Sequence, residues 1–190
     1  KRTAVAGLRW AVDMHGEGQL SWEEGLGMVT PEDIEREFHP YVDPKHEAMA
    51  RERTLGKGLA GSPGAYAGRI VFDSDAAVEW TSRGEKVILV RKETSPDDIH
   101  GMHASLGFLT AVGGMTSHAV LVARQMGKTC VAGCGEETLR VDSVKKIAQC
   151  GQKSLKEGDW ITLDGNVGRF IEGVIPTVEP KPDERFLTYM

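Results

Sequence analysis

The sequence predicts a mixed α/β domain behind a helical segment, and three observations carry that prediction. Residues 3–40 show apolar positions at helical spacing and two helix-start signals. Five glycines then crowd into residues 56–68. From Arg69 onward, short β-type runs alternate with helix starts, one of which opens a strongly apolar helix. The expected layout is a helical linker over 1–54, the α/β domain over 55–174, and an outgoing linker over 175–190.

Each element has a local reason. Thr3 to His15 is rich in Ala and Val, and Gly16 and Gly18 are expected to stop that helix. Ser21-Trp22-Glu23-Glu24 is a capping box. Thr30-Pro31-Glu32-Asp33 starts a second helix, with a Thr cap, Pro at the first position and acids in the first turn. The prolines between His39 and Pro44 are expected to end the helical part. The glycine-rich stretch around Ser62-Pro63 reads as a tight-turning loop. Arg69–Phe72 and Val87–Val90 read as strands, and Ser95-Pro96-Asp97-Asp98 starts a helix carrying Ile99, Met102, His103 and Leu106. Gly107–Val112 reads as a buried strand, Ser117–Met126 as a buried helix ended by Gly127, and Thr129–Ala132 as another strand. Trp160–Leu163 and Arg169–Ile171 form a hairpin around Asp164-Gly165-Asn166. Three prolines make residues 176–185 an extended tail.

Composition narrows the function classes. The chain has 190 residues and a net charge of −5, so it lacks the basic surface that general nucleic-acid binding needs. No apolar stretch reaches the about 20 residues of a membrane span. No initiator Met and no apolar leader open the chain, which reads as a piece of something longer, placed in the cytoplasm or an organelle. Three cysteines, Cys130, Cys134 and Cys150, cannot all pair within one chain, and reduced thiols are expected.

One segment carries chemistry: Gly113-Gly114-Met115-Thr116-Ser117-His118-Ala119-Val120-Leu121-Val122-Ala123-Arg124. The glycine pair permits a sharp turn, and Thr116 and Ser117 offer hydroxyls and a cap. His118 falls in the first turn of the helix, where free N–H groups and the helix dipole favour a negative group such as a phosphoryl. An imidazole can attack phosphorus and later leave it, which suits a two-way carrier. A nucleophile-elbow Gly-x-Ser-x-Gly is absent, as are the Gly-x-Gly-x-x-Gly and Gly-Lys-Ser/Thr phosphate loops.

This segment matches the phosphohistidine signature of the phosphoenolpyruvate-utilising enzymes. Gly58–Ala65, Val90–Asp98, Gly101–Ala104 and Gly127–Cys134 resemble the central domain of the pyruvate phosphate dikinase branch, and Ala11–Met14 with His39-Pro40 resemble the segment before it. Met115 and Ser117 fit the dikinase branch better than the synthase branch. The resemblance implies a swivelling β/β/α phosphohistidine domain that shuttles a phosphoryl group on His118. Gly113, Gly114, Thr116 and Ser117 would support it. The implied reaction converts ATP, phosphate and pyruvate reversibly to AMP, pyrophosphate and phosphoenolpyruvate. An N-terminal ATP-grasp domain and a C-terminal pyruvate barrel of the full-length chain are the implied partners. Mg2+ is the implied cofactor of that full-length enzyme, with no metal ligands in this chain. Plant members are regulated by phosphorylation at the threonine matching Thr116. The alternatives are the phosphoenolpyruvate synthase or enzyme I branch, and a docking domain without chemistry.

Other residues read more plainly. Arg124 lies about 240° around the helix from His118, which suits a structural or docking role. Thr116 either bonds the imidazole or phosphate, or serves the loop. Thr94 and Ser95 read as caps for the next helix. Cys130 and Cys134 have too few companions for zinc and read as buried thiols. His103 is placed to approach the site from the preceding helix. The glycines at 56 and 58 and the prolines of the tail are the candidate hinges.

Overall fold

In the computed structural model, which describes residues 13–19, 21 and 38–180, the run Val87-Ile88-Leu89-Val90 is buried along its whole length. A strand hides both faces only between two layers, and that sandwich organises the fold. The strands in chain order are β1 (Tyr41–Val42), β2 (Thr54–Lys57), β3 (Leu59–Ser62), β4 (Ala65–Val71), β5 (Val87–Arg91), β6 (Gly107–Thr110), β7 (Thr129–Ala132), β8 (Arg140–Asp142), β9 (Ile147–Cys150), β10 (Lys153–Lys156), β11 (Trp160–Asp164), β12 (Arg169–Glu172) and β13 (Thr177–Val178). The helices are α1 (Glu47–Glu52), α2 (Ser74–Ser82), α3 (Ile99–Ala104) and α4 (His118–Met126).

The main sheet has eight strands in the order β2-β12-β11-β4-β5-β6-β7-β3. Its centre, β4 to β7, is parallel, and the flanking strands are antiparallel. Successive side chains point to opposite faces. Val87, Leu89, Phe108 and Cys130 join a core with Ala76 and Ala77 of α2, Met102 of α3, and Ala119, Val120 and Ala123 of α4. Ile88, Val90, Leu109 and Val131 face the other way, against Ala148, Cys150 and Leu155 of the three-stranded antiparallel sheet β8-β9-β10. The result is a β/β/α stack. Each fully buried Val, Leu, Ile or Phe contributes about 1.5–3 kcal/mol.

Most of the glycine-rich stretch is strand, and the tight turn expected around Ser62-Pro63 is confined to Pro63-Gly64, where Gly64 has φ +116°. The stretch forms β2, β3 and the start of β4, and only Gly58 separates β2 from β3. Those two strands lie at opposite edges of the sheet order, so the sheet curls until its edges meet at Gly58. Gly58 N–H donates to the Gly168 carbonyl at 2.8 Å. A Cβ there would come within 2.6 Å of the Ala132 carbonyl oxygen. At Gly56 a Cβ would meet Thr138 at 2.4 Å and the Phe170 ring at 2.7 Å. These glycines admit close neighbours. They are pinned in the sheet, which overturns their reading as hinges.

Two compact units are distinguished, residues 1–40 with 179–190, and residues 41–178. In the first, residues 13–16 are helical and include Gly16. The turn comes at Gly18, whose φ is +70°, with Gln19 N–H donating to the Met14 carbonyl at 2.8 Å. The helix over 3–12, most of the Ser21 capping box, the Thr30 start and the tail beyond 180 lie outside the described residues.

The second unit begins earlier than the expected boundary at 55. The prolines near residue 40 do not end the helical part, because α1 follows them. β1 pairs with β13, Tyr41 opposite Val178. Val42 and Ala50 share a small core with Ala65, Ile171 and Ile175. Arg169 Nη1 and Nη2 donate to the two Glu47 carboxylate oxygens at 2.9 and 2.7 Å, while its Nε donates to Asp164 Oδ2 at 3.0 Å. α2 is an element the sequence reading passed over. Its cap is Asp73, whose carboxylate accepts from Ala76 N–H at 2.7 Å. No helix among the described residues is long and apolar enough to cross a membrane.

Candidate functional site

Open α/β sheets place their sites beyond the C-terminal ends of parallel strands, where connections leave the sheet. The connection after β6 is the segment Ala111–Ser117, and it delivers His118 as the first residue of α4. Ser117 is the N-cap, in extended conformation, and Ser117 N–H closes a turn onto the Gly114 carbonyl at 3.0 Å. Gly127, at φ +62°, ends the helix. Both helix boundaries match the sequence reading.

The two glycines are not equivalent. Gly113 has φ +130°, and a Cβ on it would touch Ser117 Oγ at 3.0 Å. Its carbonyl also sits 2.2 Å from where a Cβ on Gly133 would be, so the two glycines pack against each other. Gly114 has open space around it, and its φ lies outside the glycine-favouring range. The turn requires glycine at 113 alone.

His118 is half-buried, and its Nδ1 lies 3.2 Å from Thr94 Oγ1 in a hydrogen bond. With the proton on Nδ1, that nitrogen donates to Thr94 and Nε2 carries the free lone pair. Thr94 is buried, and a network fixes its segment. Asp98 accepts from Ser95 N–H at 2.9 Å, from Ser95 Oγ at 3.3 Å and from Ser74 Oγ at 3.2 Å. Arg91 approaches the same carboxylate at 3.4 Å and donates to the Phe72 carbonyl at 3.0 Å. Ser95 therefore caps, as read, whereas Thr94 reaches the imidazole. The caps of one loop hold the partner of a histidine 24 residues away.

Two hydroxyls near Gly113 have no partner. Thr110 Oγ1 and Ser117 Oγ are buried and unbonded, and both lie within 3.7 Å of the position a Gly113 Cβ would take. Buried polar atoms are ordinarily satisfied, so this pair marks the site. Thr110 gave no sequence signal beyond its strand. Thr116 is exposed in the turn, and no hydrogen bond joins it to His118 among the described residues.

The remaining candidates lie elsewhere. Arg124 Nε donates to the Gly61 carbonyl at 2.8 Å, tying α4 to β3. Lys128, just past the far end of α4, donates to the His103 carbonyl at 3.0 Å. His103 thus lies at the end of α4 away from His118, which corrects its expected approach. Burial pushes the Cys130 and Cys134 thiols up to about 12 and the Cys150 thiol to about 11, and all three cysteines are free. Such thiols are unreactive. Lys92 pairs with Glu136 at 2.7 Å, and no Arg or Lys bonds to His118 among the described residues. Those residues contain no group of three His, Cys, Asp or Glu able to hold a metal ion.

Residues 83–168 match the profile described as PEP-utilising enzyme, mobile domain. The chain is 49% identical over 181 residues to a pyruvate, phosphate dikinase of Rhizobium meliloti (strain 1021), covering 95% of this chain and 20% of that protein. Identity to the chloroplastic pyruvate, phosphate dikinase 1 of Arabidopsis thaliana is 44% over 191 residues, covering 100% of this chain and 19% of that one. The Clostridium symbiosum dikinase is 44% identical over 179 residues, with 94% and 20% covered. A solution structure described as an enzyme I protein matches at 27% identity and a TM-score of 0.33, covering 55% of this chain and 34% of that one, a score too low to bear on the fold. The chain spans about a fifth of the length of these dikinases. The residues matched by that profile run from β5 to β11 of the β/β/α stack and include His118 at the start of α4.

Proposed function

We propose that this chain is the phosphoryl carrier of a pyruvate, phosphate dikinase and that His118 Nε2 is the atom that carries. The supporting observation is the Nδ1 contact with Thr94 at 3.2 Å, because with the proton on Nδ1 the free lone pair is on Nε2. Nε2 attacks the β-phosphorus of ATP and AMP leaves, giving a pyrophosphohistidine. Inorganic phosphate takes the terminal phosphoryl as pyrophosphate. The enolate oxygen of pyruvate takes the remaining phosphoryl from Nε2, giving phosphoenolpyruvate. The residues of this chain orient the imidazole and meet the phosphoryl charge with the α4 N-terminus. Gly113 and Gly114 form the turn, and the unbonded Ser117 hydroxyl is available to a phosphoryl oxygen.

Positive charge for the transfer has to come from elsewhere, because no cation is bonded to His118 among the described residues. The other four-fifths of the dikinase length would supply it, as an ATP-grasp domain, a pyruvate barrel and their Mg2+. One imidazole serving two domains has to travel. β1 and β13 run side by side, so the chain enters and leaves this unit at one place, and the pivots fall beyond Tyr41 and Val178. A cytoplasmic or organellar home fits three buried free thiols.

The test is a phosphoenzyme that is acid-labile and base-stable, as phosphoramidates are. His118→Asn should abolish it and both partial reactions in the full-length protein while leaving the fold intact. An acid-stable phosphoenzyme, or activity in that variant, would refute the carrier. A requirement for inorganic phosphate separates the dikinase from the synthase branch. A disulfide locking the unit to either partner should keep one partial reaction and lose the other.

Thr116 is the proposed regulatory site. It is exposed two residues before His118, and a phosphate there would add up to about two negative charges beside a group that must accept another. Thr116→Glu should be nearly inactive and Thr116→Val close to normal. Equal activities would refute the role.

A further inference from the structure

A buried carboxylate stands behind Thr94, the hydrogen-bond partner of His118 Nδ1. Asp98 is 5% exposed, and its Oδ2 accepts from the N–H of Ser95, the residue next to Thr94, at 2.9 Å and from Ser95 Oγ at 3.3 Å. Its Oδ1 accepts from Ser74 Oγ at 3.2 Å. A carboxylate suits this place because its two oxygens accept all three bonds, whereas an amide has one acceptor oxygen. The same carboxylate is negative, and the reaction at His118 brings a phosphoryl group that is negative too. Buried charges are screened little.

One cation is set against that carboxylate. Arg91 Nε lies 3.4 Å from Asp98 Oδ1, yet it is buried and forms no hydrogen bond among the described residues. The directed bonds of this guanidinium go elsewhere: Nη1 donates to the Phe72 carbonyl at 3.0 Å, just past β4, and reaches Ser143 Oγ at 3.5 Å, between β8 and β9. Arg91 therefore meets Asp98 through charge. The next residue repeats the arrangement, since Lys92 Nζ pairs with Glu136 at 2.7 Å. The other acids of the segment, Glu93 and Asp97, are exposed, and solvent screens them.

We infer, on the carrier reading, that Arg91 is a positioning residue acting through Asp98: it cancels the charge of the carboxylate that holds the Thr94 segment, so that the segment orients His118 without repelling the phosphoryl group. Arg91 itself binds no substrate. Asp98 supplies the bonds and Arg91 offsets the field that comes with them. Left alone, that field would oppose the one at the N-terminus of α4, which favours negative charge.

The experiment uses the full-length protein with Arg91→Gln, Arg91→Lys and the double variant Arg91→Gln/Asp98→Asn. Arg83→Gln is the control, since it removes an exposed cation paired with Glu79. Two small reagents are compared by peptide mapping at His118. Phosphoramidate phosphorylates the imidazole and is an anion; diethyl pyrocarbonate acylates it and is neutral. Arg91→Gln should slow phosphoramidate labelling by about tenfold, with acylation at the parent rate. Arg91→Lys keeps the charge and should match the parent with both reagents, as should Arg83→Gln. The double variant removes both charges and should label within about threefold of the parent. Equal slowing of both reagents in Arg91→Gln would place the defect in the shape of the segment and overturn the charge role. Parent-rate labelling in that variant would overturn it as well. Should Arg91→Gln not fold, Arg91→Lys and the double variant decide, and tenfold slower labelling in either overturns the role. Failure of phosphoramidate to label His118 in the parent overturns the carrier reading instead.

Discussion

The clamp at Arg169 and the loop before His118 are both polar, yet they are built on opposite terms. At the clamp three charged groups meet, and the guanidinium spends its Nε, Nη1 and Nη2 on Asp164 and Glu47. At the loop, two buried hydroxyls bond nothing, one imidazole nitrogen has a single partner, and the surrounding apolar side chains face water. Saturated networks fix one shape. Unsaturated groups are free to bond something that arrives. The clamp leaves no guanidinium nitrogen unbonded, whereas the loop before His118 holds two buried hydroxyls without partners.

Arg169→Met leaves the nearly buried Asp164 carboxylate without its partner, and stability should fall by about 3–5 kcal/mol in denaturant titrations. Pairing it with Asp164→Leu should recover much of the loss. A single variant as stable as the parent would show that the clamp does not hold the unit together.

At the site the expected losses are in rate. Thr94→Val removes the Nδ1 partner, and phosphoryl transfer should slow by about ten- to a hundredfold with melting temperature nearly unchanged. Chemical labelling should still occur, with a growing share at Nδ1. Exclusive Nε2 labelling at the parent rate would remove Thr94 from the positioning role.

The unbonded hydroxyls give the sharpest contrast. Thr110→Val and Ser117→Ala delete groups that gain nothing in the folded state, so each should be neutral or stabilising by up to about 1 kcal/mol while transfer falls. A clear loss of stability would mean that these hydroxyls are bonded in solution.

The smallest effect is a pH dependence at the clamp. Arg169 holds the Glu47 carboxyl down to about 2, from an ordinary 4.5. A carboxyl lowered by folding stabilises the protein above the unfolded value and loses that contribution as pH falls toward the folded one. Acid titration from pH 4.5 to 2 should therefore cost the parent more stability than Glu47→Gln. Parallel titration curves would show that the pair contributes nothing.

Much of the site was legible because its signals are local. Ser117, His118 and Gly127 fall within eleven residues, and cap, helix and left-handed stop are written in adjacent positions. The buried strand β5 announced itself as an unbroken apolar run, which a strand covered on both faces requires. Ser95 caps the start at Ser95-Pro96 as expected, within a capping box completed by Asp98.

The glycines at 56 and 58 were misread because their reason lies on other strands. Thr138 and Phe170 crowd the first, and Ala132 crowds the second. Sequence shows a missing side chain but not the neighbour that needs the space. Thr94 and His118 meet across 24 residues, and Glu47 and Arg169 across 122, through contacts that no local pattern encodes. The sequence by itself determined the helix start at His118, the apolar strands and the chemistry of an imidazole at a helix N-terminus, since each follows from neighbours along the chain. Tertiary structure alone decided which imidazole nitrogen is held, which hydroxyls go unbonded and where the unit begins. Those outcomes depend on residues brought together when the sheet curls and its edges meet.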